Sequence, residues 1–345
     1  MSNSTSLEPT SPEPTSPEPT SSKKISEQRQ TLETLDAVPS CSYFQPRLLK
    51  SLWPKPARKF SALNLPNKRV RVENVRFDNS NFEQFKKVCG FEKSLSHVPI
   101  SYPHMLAFGM HLHLFTEPDF PLPVLGLIHT QNHIERFKHT PIDENYNLEV
   151  YLGNLRPHAK GANFEVISEY SRAAKNDSGN DEVVWREHCT LLARLPKKLR
   201  DFSDEALLEF KSADTPRPQY PCSDQAKVWK VAGDTGRKYG AVSADRNPIH
   251  LYPITAKLFG FPRHIAHGMW TLAKSNAAIE SQFARQSIDC ERLSLSNNFI
   301  RPMFLPATAH HYTKFENNKT QANLEVWNRS ASTLHMSGHA KILDA

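Results

Sequence analysis

No run of about 18 uncharged apolar residues occurs in the 345-residue chain, so no segment is long enough to cross a bilayer as a helix. Cysteine is scarce: Cys41, Cys89, Cys189, Cys222 and Cys290 are odd in number, widely scattered and without a CxxC pair. That pattern fits neither a disulfide framework nor a thiolate zinc site, and it implies a reducing compartment. The N-terminus lacks the charged-then-apolar order of a secretory signal and carries acids that a mitochondrial presequence would avoid, so a cytoplasmic location is expected. "GDTGRKYG" (233–240) lacks the GK[ST] ending and the preceding long strand of a phosphate-binding loop. The basic residues are dispersed, with no RNP-like motif or zinc-finger spacing, and nucleic acid is not an expected partner.

What is present suits a globular protein. With 38% hydrophobic and 23% charged residues the chain can bury a sizeable core, and its length allows about two domains. A net charge of +7 favours anionic partners, among which phosphate-bearing cofactors and acidic carrier proteins both fit.

Residues 5–20, "TSLEPTSPEPTSPEPT", repeat the unit EPTSP almost without apolar content, and residues 1–40 are therefore expected to form a disordered tail. Residues 41–66 contain aromatics and leucines interrupted by prolines, which suits an extended arm. Two similar blocks follow. The first, 67–215, has "HMLAF" (104–108) and "NHIERFKHTPI" (132–142); the second, 216–345, has "HGMWTLA" (267–273) and "NFIRPMFLP" (298–306). Each has helix-like segments and then several runs of period-two alternation, an α+β plan in which a sheet wraps one long helix. The spacing predicts that helix over about 267–283 in the second block, with Met269, Leu272, Ala273, Asn276, Ile279 and Phe283 on its core face and Glu280 close by. The boundary between blocks is expected near residue 215.

The stretch "VSADRNPIHLYP" (242–253) places an acid and a base on either side of an Asn-Pro break. Asn247 is pushed toward an extended conformation and Pro248 has its φ fixed, so the separation of Asp245 and His250 is reproducible. Pro253 and Gly260 frame "ITAKLF" as a short helix. Gly268 opens the long helix, where unpaired backbone N–H groups receive negative charge and a glycine admits a ligand close to the backbone. From the residues alone, Asp245 and His250 are either a loop staple or a catalytic pair.

The segment "YGAVSADRNPIHLYPITAKLFGFPRHIAHGM" (239–269) resembles the signature of the MaoC-like, R-specific enoyl thioester hydratases and dehydratases: an aromatic residue, an Asp-x-Asn-Pro-x-His core and a downstream His-Gly-Met. The match is dense there and looser over the rest of the second block. The resemblance implies tandem hot-dog folds, a double hot-dog whose first half is degenerate, with one active site per chain because the first block has no Asp-x-Asn-Pro-x-His. It implies Asp245 and His250 as the catalytic dyad and Gly268 as backbone donor to a thioester oxygen. Asn247, His267, Asn276 and Arg301 are further candidates for substrate or oxyanion binding, Arg301 through a cofactor phosphate. The substrate would be an acyl thioester of coenzyme A or of acyl carrier protein, with no metal or redox cofactor, and two such chains could pair as a homodimer. One departure is Ala244, where the family commonly has glycine. It motivates an alternative, a non-catalytic double hot-dog that binds acyl thioesters or serves as a subunit. His111/His113 and His129/His133 have spacings that could reach one metal ion, but no acid or cysteine stands at a supporting spacing, and a structural role is expected of them.

Overall fold

The structure, a computed structural model, describes residues 30–40, 58–93, 97–124, 126–174, 181–204, 206–207, 218–316 and 319–344. Its strands are β1 (Thr31–Leu35), β2 (Lys68–Val75), β3 (Ile128–Arg136), β4 (Tyr146–His158), β5 (Gly161–Arg172), β6 (Glu182–Arg194), β7 (Ala226–Val231), β8 (Leu293–Phe299), β9 (Ala307–Phe315), β10 (Gln321–Asn328) and β11 (Leu334–Ile342). The helices that matter here are α1 (Asn79–Cys89), α2 (His104–Thr116), α3 (Thr235–Ser243), α4 (Pro248–Leu251), α5 (Pro253–Leu258) and α6 (Gly268–Arg285).

All the strands join one sheet in the order β1-β2-β4-β5-β6-β3-β8-β11-β10-β9-β7. Strands of the first block occupy one side and those of the second the other, and they meet where β3 runs antiparallel to β8. Alternation explains the faces. Along β3, Asn132, Ile134 and Arg136 are buried, and along β8 so are Leu293, Leu295 and Asn297. In register Asn132 faces Asn297 and Ile134 faces Leu295, so the inward rows of the two strands continue each other. The outward rows are polar, with His133 Nδ1 2.7 Å from Ser296 Oγ and Gln131 donating to Asn298 Oδ1 at 3.0 Å.

Each half wraps a helix. In α6 every member of the expected core face is buried, but so are Trp270, Thr271, Ser275, Ala277, Ala278 and Glu280. The helix is enclosed nearly all round because α1 of the first half packs on the side away from the sheet, where Trp270 Nε1 donates to Val88 O at 3.1 Å. A single-stripe reading of its period could not register that second cover. The architecture is α+β, a tandem of two helix-in-sheet units of the hot-dog kind.

Two expectations need correction or restriction. The tail does not extend to residue 40: Thr31–Leu35 form β1, parallel to β2, with Glu33 2.9 Å from Lys68 Nζ. Composition is blind to this, because an edge strand draws its ladder from backbone groups. Just after it, Pro39 O and Val38 lie so close to Gly109 of α2 that a Cβ there would stand 2.7 Å from the carbonyl. Residues 1–29, most of the proposed arm and the inter-block boundary near 215 fall outside the described residues.

Arg136 ties the halves together. Only 1% exposed, its guanidinium donates to Val98 O at 2.7 Å and Glu291 O at 2.8 Å, and also to Cys290 O. Hydrogen bonds from a charged donor are worth ~1.5–3 kcal/mol each, and orphaning a buried carbonyl costs about 1–3 kcal/mol. Arg136→Met is therefore expected to destabilise the fold by more than about 3 kcal/mol in urea unfolding, a cost that an exposed arginine such as Arg301 would not show when changed.

Candidate active site

The loop that carries Asp245 and His250 is held by three short elements. Helix α3 ends at Ala244, which adopts the left-handed conformation (φ 62°) and turns the chain sharply into Asp245. Asn247 is extended (ψ 125°), as the following proline requires, and its Oδ1 caps α4 by accepting from Ile249 N at 3.3 Å. Thr255 Oγ1 of α5 then donates to Pro248 O at 2.6 Å, fixing α5 against the loop. The glycines of "GDTGRKYG" acquire a role here. A Cβ at Gly240 would stand 2.8 Å from Asp245 O, and one at Gly236 would run into His250 O, so this face of α3 must be bare for the loop to lie on it.

Asp245, His250 and His267 converge, with a carboxylate oxygen and ring nitrogens all within 4.8 Å of one another. Asp245 Oδ1 accepts from Asn247 N at 3.1 Å, and Oδ2 lies 3.7 Å from His267 Nε2. His267 Nε2 donates to Asp245 O at 3.0 Å. The His267 ring stacks on His250 with centroids 3.7 Å apart and touches Tyr239 at 5.0 Å. His250 Nδ1 is 2.9 Å from Ile265 O, so the carbonyl fixes the proton on Nδ1 and leaves Nε2 as an acceptor.

Electrostatics sorts the groups into roles. Burial pushes the Asp245 carboxyl up, but His267, His250 and the Asn247 N–H outweigh it, and the net shift is downward. Asp245 is thus ionised at neutral pH. Burial lowers His250, against the pull of Asp245, and drives His267 down to about 3. Both imidazoles are neutral, and the trio is a carboxylate base beside a neutral histidine. Each histidine commits one nitrogen to a backbone carbonyl, which fixes its tautomer and leaves the other ring nitrogen as an acceptor.

Gly268 begins α6 directly after His267, the N-cap residue. A Cβ there would meet the Phe299 ring at 3.0–3.3 Å, so glycine lets Phe299 close over the helix end while the first-turn N–H groups remain directed outward. Of the other candidates, Asn276 is not brought to the dyad. It sits two turns along α6, accepts from Ser101 Oγ at 2.9 Å and donates to Glu280 at 3.0 Å, a buried network that the period alone could not distinguish from a substrate contact. Arg301 is exposed two residues beyond Phe299.

A second buried cluster stands in the first half. His104, the first residue of α2, places Nδ1 2.8 Å from Glu187 Oε2; Asn132 donates to Glu187 Oε1 at 2.7 Å and to Cys189 at 3.4 Å; His111 Nε2 is 2.8 Å from Ser168 Oγ. His104, Glu187 and Cys189 bring ligand atoms within 4.8 Å of one another. Both carboxylate oxygens nonetheless accept a hydrogen bond, and burial raises the Cys189 thiol well above its ordinary range, leaving it neutral. The cluster reads as a closed hydrogen-bonded network. Glu187 lies 83 residues from His104, so no spacing rule could have joined them. Rings link the cluster to the site: His129 packs on His104 at 6.4 Å and on Phe299 at 5.0 Å.

Comparison with known proteins agrees with this geometry. The family model described as "MaoC like domain" matches residues 221–334, the portion that carries the dyad. The 3-hydroxyacyl-thioester dehydratase X of Mycobacterium tuberculosis is 36% identical over 248 residues, 72% of this chain and 80% of that protein. The peroxisomal enoyl-CoA hydratase 2 of Arabidopsis thaliana is 26% identical over 176 residues, 47% of this chain and 52% of that protein. The crystal structure of HtdX of Mycobacterium tuberculosis superposes with a TM-score of 0.64 at 29% identity, covering 80% of this chain and all of the other. The protein belongs to the MaoC-like dehydratases. Within them it is a two-repeat, double hot-dog member.

Two predictions follow from the electrostatics and the backbone. Burial holds His111 at about 3, His129 at about 4 and His267 at about 3, against 6.5 for a free imidazole, so the unfolded chain binds more protons than the folded one below pH 6.5. Glu187, lowered to about 2 by its histidine and asparagine partners against the effect of burial, acts in the same direction below pH 4.5. His97, raised to about 9 by Cys290 and Glu280, contributes stability already fully present below pH 6.5. The urea midpoint is therefore expected to fall steeply from pH 6.5 to pH 4.5, and equal midpoints would contradict the burial of neutral imidazoles. Ala244→Gly relieves the left-handed cost of a Cβ, ~1–2 kcal/mol less the entropy of glycine, and should raise the midpoint slightly while activity is kept.

Proposed function

We propose that the protein is an R-specific 2-enoyl thioester hydratase and 3-hydroxyacyl thioester dehydratase that uses Asp245 and His250 as its catalytic dyad. The observation that carries this reading is the pairing of an ionised Asp245 with a neutral His250 whose free nitrogen is Nε2. Both are acceptors, so a single water can donate one proton to each. As the water oxygen bonds to C3 of the enoyl thioester, its proton passes to Asp245, and the electrons of the C2–C3 double bond move toward the thioester carbonyl. The negative charge on that oxygen is held by the N–H of Gly268 at the α6 terminus. Asp245 then returns the proton to C2, giving the 3-hydroxyacyl thioester, and the reverse sequence expels water. Atoms balance with no metal or redox cofactor taking part.

His267 acts as a wedge: stacked on His250 and bonded to Asp245 O, it fixes the distance between the two catalysts. Asn247 does the same through its backbone N–H to the carboxylate. The departure at Ala244 leaves the dyad intact, because the alanine accepts the left-handed turn that a glycine would make. Little then favours a non-catalytic binding protein. The named relatives support the chemistry: one is a 3-hydroxyacyl-thioester dehydratase and another an enoyl-CoA hydratase. In this reading Arg301, exposed beyond Phe299, receives a phosphate of the thioester carrier. The cysteines at 89, 189, 222 and 290 are free thiols, which suits work in the reducing cytoplasm.

The test is loss of the conjugated thioester absorbance of trans-2-enoyl-CoA substrates of several chain lengths. Asp245→Asn should lower kcat by about 10²–10⁴-fold, the ordinary contribution of a positioned acid–base group, with the circular dichroism unchanged. A folded variant that turns over at the parent rate would sink the assignment.

A further inference from the structure

Four of the seven large apolar side chains that stand most exposed among the described residues are crowded into eight positions: Tyr252 at 50%, Ile254 at 73%, Leu258 at 81% and Phe259 at 38%. They belong to α5 and its two ends, the element that continues directly from His250 and α4. The helix buries only Ala256 inward, and Ile254 and Leu258, four residues apart, share its outer face. Apolar exposure of this density marks an interaction site rather than scattered surface residues. Within its own segment the charges have one sign, and the nearby acid Asp234 lies before α3, beside Arg237. From 246 to 279 the chain has no aspartate or glutamate, whereas Arg246, Lys257 and Arg263 are exposed beside the apolar face, and Arg237 lies over the Tyr252 ring at 4.8 Å.

We propose that this face docks an acidic, helical carrier protein that presents the acyl thioester on a phosphopantetheine arm. Resting on the thioester chemistry assigned above, the inference names the form in which substrate arrives. An apolar centre with a basic rim is complementary to an amphipathic acidic helix, and a protein seated there stands one short helix from the dyad. A second copy of this chain fits poorly: a symmetric contact would set Lys257 and Arg263 against themselves, with no acid in the segment to offset them. The loop itself is stiff, tied by Thr255 to Pro248 O and by Arg237 to Leu251 O at 2.8 Å, so docking needs no reordering of the catalysts.

The experiment compares kcat/KM of the full chain for crotonyl thioesters of a small acidic acyl carrier protein, of coenzyme A and of N-acetylcysteamine. Two double variants are made, Ile254→Ser with Leu258→Ser and Lys257→Gln with Arg263→Gln, all at exposed positions outside the catalytic groups. Each is expected to lower kcat/KM for the carrier-bound substrate about tenfold or more, while the N-acetylcysteamine thioester changes by less than about twofold. Added salt should weaken the carrier reaction of the parent. Equal losses on all three substrates, or a parent that handles the carrier thioester no better than the N-acetylcysteamine one, would overturn the proposal. So would a serine variant that turns a dimer into a monomer in sedimentation, or one that loses binding to phosphatidylglycerol vesicles while its carrier kinetics stay intact. A parent inert toward all three thioesters would instead remove the hydratase reading. Docking is then decided by titration of the carrier protein, and equal binding to parent and serine variant overturns it.

Discussion

The antiparallel pairing of β3 with β8 is the constraint on which the rest of the molecule depends. Without it each half would leave a sheet edge open and one side of its helix uncovered. The pairing carries its own lock in Arg136, whose guanidinium is desolvated only because carbonyls from both halves receive it. Continuous inward rows across the seam then merge two small cores into one, and α6 is enclosed by its own sheet and by α1 of the other half. Precision at Gly268 follows, since the end of α6 cannot shift without disturbing Phe299 at the end of β8.

The two halves share a plan and differ in their chemistry. Asn132 and Asn297 face each other across the seam, and their partners on the next strands are Cys189 and Gly338. The first half fills its helix terminus with a buried network, His104 and Asn132 around Glu187, in which both carboxylate oxygens accept a hydrogen bond. The second half leaves Nε2 of His250 and Oδ2 of Asp245 available beside one another. That difference separates a polar cluster bonded within itself from one that keeps acceptors open. Duplication supplied the frame for both, and the loop between α3 and α6 set an ionised acid beside a neutral histidine in one of them.

Much of this was legible in the residues. Period-two runs such as "AKVWKV" and "ANLEVWN" coincide with β7 and β10 almost residue for residue, because alternation and β-branched and aromatic residues mark a strand in its own sequence, although β10 is covered on both faces from Leu324 to Trp327. The closeness of Asp245 and His250 was legible for a related reason: Asn247-Pro248 is a local backbone constraint, and local constraints survive translation into sequence. Edge strand β1 was not, since its bonds are made by main chain and its composition is that of a tail.

By itself, then, the sequence determined the α+β plan, the tandem repeat and the loop that sets an acid and a base at fixed separation, all of them consequences of period, proline and glycine within a few residues. Only the tertiary structure decided which groups are charged, which are free and which are spent. Burial keeps His250 neutral while Ile265 O fixes its proton on Nδ1, the two imidazoles and the Asn247 N–H hold Asp245 ionised against burial, and Asn276 is withdrawn into a network with Ser101 and Glu280. Protonation and hydrogen-bond commitment depend on partners that burial brings from tens or hundreds of residues away, and no pattern read along the chain contains them.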